Sequence, residues 1–143
     1  MKVKVYLRDK TLDFDATDVE SCKRIVQQTI AMHGRLDVLV NVVGGNDLKR
    51  DKAVGELDIN YFDEIFHLNV RSMLVSIQTA LPDMIKAGGG SIVNIASLSG
   101  VAGDVRGTLY GICKAGVISL TRYVATQYGK SGIRCNAVAP GLV

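Results

Sequence analysis

The chain has 143 residues, enough for one domain with a core of its own. Hydrophobic residues make up 48% and the charge is mixed, which excludes a disordered chain. The net charge of +3 is spread along the sequence, so no nucleic-acid surface is indicated, and no apolar run approaches a membrane span.

In chain order, Val3, Val5 and Leu7 alternate with charged residues and predict a short strand. Residues 11–14 predict a second. Asp18 suits an N-cap for a helix ending near His33, with Gly34 as its stop. Residues 36–43 are apolar except Asp37 and Asn41, the pattern of a strand buried on both faces of a parallel sheet. Residues 44–60 read as loop, and its Lys49, Arg50 and Lys52 cluster, broken by Asp51, as solvated. A long helix is expected over about 61–87, with Pro82 kinking it or marking its last turns. Gly88, Gly89 and Gly90 end it. Residues 91–96 predict a buried strand and 97–108 a small-residue loop. A helix over about 109–128, a glycine turn and a last strand over 133–139 follow. Strands alternating with helices argue for an α/β fold, a doubly wound and mostly parallel sheet with helices on both faces. Residues 1–143 read as a single domain.

Cys22, Cys113 and Cys135 are far apart, odd in number and without metal spacing. They fit a reducing compartment, and cytoplasm is the expected location. No metal site is expected. His33 and His67 read as structural.

The chemistry concentrates around Tyr110-Gly111-Ile112-Cys113-Lys114. A tyrosine and a lysine four apart share one helix face. An ammonium beside a phenol favours the phenolate and turns it into a usable acid or base. Ser97, at the end of a strand, is placed to hold a substrate oxygen as charge develops. Ser99 is the rival, but the spacing to Tyr110 favours Ser97. Parallel sheets bind ligands beyond the C-terminal ends of their strands, where Asn41, Ser97 and the Pro140-Gly141 turn all fall.

Several segments resemble, in order and spacing, the single-domain short-chain dehydrogenase/reductase family. Asp15-Ala16-Thr17-Asp18 resembles its D-V-T-D turn. Residues 34–41 with Gly44 resemble its G-x-x-D-x-L-V-N-N-A-G strand, with Val42 and Val43 in place of the middle pair. Asn69-Val70 resembles its helix asparagine, residues 90–97 the strand ending in its serine, and residues 133–141 the strand ending in Pro-Gly. The resemblance implies a partial Rossmann-like fold that interconverts a secondary alcohol and a ketone with NAD or NADP. It implies Asn69, Ser97, Tyr110 and Lys114 as catalytic. Asp15, Ala16, Asn41, Gly44, Tyr110, Lys114, Pro140 and Gly141 would contact the cofactor. Lys114 would also hold the nicotinamide ribose, and Asn69 would hold the helix open around a water. Arg106 and Asp104 lie where the family meets substrate, though a solvated loop is the simpler reading.

The family also opens on a T-G-x-x-x-G-x-G loop, which this sequence does not contain. The chain is therefore expected to be an internal fragment, without useful cofactor affinity on its own. Two other readings stand: a catalytically inactive chain that only self-associates, and an epimerase or dehydratase sharing Y-x-x-x-K. The N-x-x-G strand and the Pro-Gly ending favour the single-domain enzymes. The resemblance further implies a homodimer or homotetramer formed through the 61–87 and 109–128 helices. In the family the first strand lies between the strand ending near Asp15 and the one ending at Asn41. Either residues 1–7 fill that place, or the strand ending at Asp15 is orphaned, or the 36–43 strand has a bare edge.

Overall fold

The computed structural model describes residues 2–6 and 11–141. Strands β1 (Lys2–Tyr6) and β2 (Thr11–Asp15) form an antiparallel pair. Helix α1 (Val19–His33) follows. Asp18 caps it by accepting from the Glu20 and Ser21 N–H groups, and Gly34 ends it in the left-handed region at φ 77°. Strands β3 (Val38–Asn41), β4 (Gly90–Ile95) and β5 (Ile133–Val138) make a parallel sheet in the order β3-β4-β5.

The expected 61–87 helix is present but interrupted. Helix α2 (Phe62–Phe66) runs into a π-helical turn over His67–Arg71, then into α3 (Ser72–Lys86), which holds Pro82. Helix α4 (Thr108–Tyr128) buries Leu109, Cys113, Val117, Thr121 and Val124, a stripe at three- and four-residue spacing. One cluster of buried residues joins α1, α3, β4 and β5, and a second joins α2, the π-turn and α4.

Burial of the sheet is confined to one face. Ile92 and Asn94 of β4, and Ile133 and Cys135 of β5, are buried, whereas Arg134, Asn136 and Val138 are exposed. The residues 36–43 expected to be buried on both faces differ accordingly. Val38, Val40 and Val42 are 54%, 52% and 63% exposed. The physical reason is the absence of cover on that face: the buried side chains of α1, α3 and α4 cluster with Ile92, Ile133 and Cys135 on the other one. Among the described residues β3 also pairs only with β4, and β1 pairs with β2 rather than with β3. The edge of β3 is therefore bare, and residues 2–6 do not fill the gap beside it.

The loop after β3 also departs from expectation. Asp51 is fully buried rather than solvated. Arg50 lies 4.3 Å over the Tyr61 ring and pairs with Asp58 and Glu64. The Asp47 N–H donates to the Tyr61 hydroxyl at 3.1 Å. The partners that satisfy these charges lie 8, 14 and 58 residues along the chain, outside the reach of local pattern.

All three cysteines are free and buried. Burial, aided by the Asp51 carboxylate, pushes the Cys113 thiol up to about 11 from an ordinary value of 9.0. The folded state then keeps a proton that the unfolded state releases, so this contribution is complete below pH 9 and is lost as pH rises toward 11. Cys22 and Cys135 are also raised by burial, with the same sign, whereas the depressed Lys114 opposes them. A Cys113→Ala variant is expected to lose less stability across that window, by on the order of 2 kcal/mol. Urea midpoints of both proteins at the two ends of the window test it, and equal losses would refute it. A thiol reagent at neutral pH should label the chain only after unfolding.

Candidate active site

Three glycines build the site by letting backbone come close. Gly100 ends the 3-10 turn Leu98–Gly100 that follows Ser97. A Cβ there would stand 2.6 Å from the Lys114 backbone carbon and 2.7 Å from the Ala115 nitrogen. Gly111 repeats this from the other side, where a Cβ would stand 2.9 Å from the Ser99 oxygen. The loop carrying Ser97 therefore lies directly on the first turns of α4, which carry Tyr110 and Lys114. The third glycine is Gly44, where a Cβ would meet Asn69 Oδ1 at 2.6 Å and Lys114 Nζ at 3.1 Å. Asn69 and Lys114 thus converge on one point of the chain after β3.

Lys114 is 2% exposed, and its ammonium donates to the Ile95 carbonyl at 2.8 Å. That bond uses one of three N–H donors. Its Nζ also lies 5.4 Å from the Tyr110 ring centroid. Burial pushes the Lys114 ammonium below the ordinary lysine range. Tyr110 itself is half-buried.

Asn69 is fully buried at the centre of the π-turn. Its Oδ1 accepts from the Gly45 N–H at 3.1 Å, and its Nδ2 donates to the Gly45 and Ile65 carbonyls at 2.8 and 2.9 Å. The side chain staples the segment after β3 to the opened helix. Ser97 is partly exposed, and its Oγ accepts from the Ser99 N–H at 3.2 Å. Pro140 and Gly141 lie beside it. The Pro140 carbonyl accepts from the Leu98 N–H at 2.9 Å, and a Cβ on Gly141 would touch Leu98 at 3.1 Å.

The remaining expected residues fall elsewhere. Asn41 is buried and donates to Asn94 Oδ1 at 2.8 Å, so its amide links β3 to β4 within the sheet. Asn94 in turn donates to Thr121 Oγ1 of α4 at 3.0 Å. Sequence reasoning missed Asn94, although an asparagine inside an apolar strand was the signal available. Asp15 accepts from the Thr17 hydroxyl and N–H at 2.7 and 2.9 Å, and those bonds hold its carboxyl well below the usual range. Ala16 and Thr17 line a shallow surface depression together with His67 and Arg71. Asp104 and Arg106 are exposed. No group of His, Cys, Asp or Glu among the described residues is arranged to hold a metal, and no helix there is long and apolar enough to cross a membrane.

Lys114 keeps N–H donors beyond the one that the Ile95 carbonyl accepts, and the missing Cβ of Gly44 is what lets its ammonium and the Asn69 amide lie against the chain after β3.

Known proteins resemble the chain over most of its length. The 7alpha-hydroxysteroid dehydrogenase of Bacteroides fragilis is 54% identical over 130 residues, covering 91% of this chain and 50% of that protein. That of Clostridium sardiniense is 39% identical over 134 residues, covering 94% of this chain and 51% of its own length. The chain thus spans about half the length of the curated relatives it matches. Among solved structures, ElxO with NADP bound superposes with a TM-score of 0.84 at 37% identity, over 90% of this chain and 51% of that one. A short-chain type dehydrogenase/reductase from Mycobacterium ulcerans does so with a TM-score of 0.85 at 29% identity, over 90% and 46%. The family model described as short chain dehydrogenase matches residues 6–143, and the chain belongs to that family.

Proposed function

We propose that this chain is part of an NAD(P)-dependent oxidoreductase that interconverts a secondary alcohol and a ketone, with a 7α-hydroxysteroid as its substrate class. The observation that carries the reading is the stacking of the Ser97 turn on α4 through Gly100 and Gly111, beside Tyr110 and the buried Lys114. The cofactor, when bound, accepts or supplies the hydride. Tyr110 takes the hydroxyl proton in oxidation and returns it in reduction. Ser97 Oγ donates a hydrogen bond to the substrate oxygen as charge develops there. Lys114 holds ribose hydroxyls with the donors that Ile95 leaves free. Asn69 fixes the segment after β3 against the opened helix.

The steroid assignment rests on the relatives named above and on three exposed apolar residues near the site. Leu98, Val101 and Val105, in the loop between Ser97 and Tyr110, are 53%, 68% and 84% exposed. A large, rigid, apolar substrate would cover them. Assay of the complete reading frame with NAD or NADP and 7α-, 3α- and 12α-hydroxysteroids tests this. Formation of reduced nicotinamide with the 7α-alcohol is expected, and turnover of none of them would overturn the substrate class.

The subunit association expected from the 61–87 and 109–128 helices is part of the same proposal. Several apolar residues of these helices are core: Val70, Met73, Val75, Ile77, Val117 and Val124 are buried. Leu74 and Tyr123 remain exposed, with Phe62, Phe66 and Ile112 on the same helices. Light scattering at micromolar concentration should show a dimer or larger species, and a monodisperse monomer would count against it.

A further inference from the structure

Helix α4 has no cap of its own. Gly107 occupies the cap position at φ 78° and offers no side chain. A helix start leaves its first N–H groups without intrahelical partners. Here one distant residue takes most of them. Asp51 Oδ1 accepts from the Leu109 N–H at 2.8 Å and Oδ2 from the Tyr110 N–H at 2.9 Å. Its backbone carbonyl accepts from the Gly107 N–H at 3.1 Å. The neighbouring Lys52 carbonyl accepts from the Thr108 hydroxyl at 2.9 Å.

Asp51 is 0% exposed and is itself fixed. Its N–H donates to the Asp47 carbonyl at 2.8 Å, and the Asp58 N–H donates to the Arg50 carbonyl at 2.9 Å. The segment 44–51 is therefore pinned twice. Asn69 holds Gly45 at one end, beside Lys114, and the Tyr110 backbone holds Asp51 at the other.

We propose that Asp51 is a positioning residue for Tyr110, its carboxylate clamping the Leu109 and Tyr110 N–H groups so that the phenol keeps one depth and rotation relative to Lys114 and the Ser97 turn. The inference rests on the acid–base reading of Tyr110. A helix N-terminus favours an anion, and charge-assisted bonds to N–H groups are stronger than neutral ones. The clamp grips the reacting residue's own backbone, so loosening it moves the phenol first.

The test uses Asp51→Ala and Asp51→Asn in the complete protein, with turnover counted per cofactor-binding molecule by calorimetric titration. The Ala variant should show kcat lowered at least tenfold with the cofactor KM within twofold. Hydrogen exchange at the Leu109 and Tyr110 amides should quicken at least tenfold. The Asn variant keeps one acceptor and should fall between. A residue that merely supports the fold would lower the fraction binding cofactor and leave kcat per competent molecule unchanged. Wild-type kcat in the Ala variant overturns the proposal. If that variant does not fold, wild-type kcat in the Asn variant despite faster amide exchange overturns it. Turnover retained in Tyr110→Phe would instead refute the acid–base reading on which the clamp rests.

Discussion

Tyr110→Phe should lower kcat about a thousandfold in the complete protein, within the usual range for losing a positioned proton donor. The substitution removes one oxygen and keeps the ring. Lys114 stays anchored to the Ile95 carbonyl, so the ribose contact proposed for it survives. Gly111 still admits the Ser99 carbonyl, so the Ser97 turn stays in place. Cofactor affinity should therefore change by less than about threefold, well under the 1.4 kcal/mol of a tenfold effect. Stopped-flow or steady-state turnover beside a fluorescence titration of the cofactor separates the two. A variant with near wild-type kcat would remove Tyr110 from the chemistry. A variant with both kcat and affinity lost would show that the hydroxyl holds the cofactor.

Gly100→Ala should be nearly as damaging to turnover, by a different route. The added Cβ would stand 2.6 Å from the Lys114 carbon, 2.7 Å from the Ala115 nitrogen and 2.9 Å from the Lys114 oxygen. All three are helix backbone atoms, so no side chain can rotate away. The turn after Ser97 must lift off α4 instead. Misplacing a reacting group by about 1 Å costs about a hundredfold in rate. Overpacking of this kind also costs about 1–3 kcal/mol of stability. Gly103→Ala is the control, because a Cβ there meets nothing within 4 Å. The expected result is a hundredfold loss of kcat and a lower urea midpoint in the first variant, with neither in the second. Equal kcat in the two would show that the Ser97 turn does not set the geometry.

These two variants also separate what each residue contributes. Tyr110 is expected to act through an atom at its tip, and Gly100 through the atom it lacks. A tyrosine four residues before a lysine can be recognised from spacing alone, since helical geometry puts the two on one face whatever surrounds them. A glycine cannot be read that way, because its value depends on which backbone passes beside it.

The same division runs through the whole molecule. Local rules were enough for α1, because the Asp18 cap and the Gly34 stop act within a few residues of the helix they bound. They were enough for α4, whose buried stripe follows the helical period, and for β4 and β5, short apolar-rich runs bounded by glycine turns. The proposed catalytic set Ser97, Tyr110, Lys114 and Asn69 could be named because each sits inside a motif with its own spacing. Only the tertiary structure decided that Asn69 lies in a π-turn with its amide bonded to Gly45, since those bonds join residues 24 positions apart. It alone turned Asp51 from a solvated loop charge into a buried anchor 58 residues from the N–H it holds. It also left Val38, Val40 and Val42 exposed, although their composition is that of a buried strand. Composition states what a strand can bury, and only its neighbours determine what is covered.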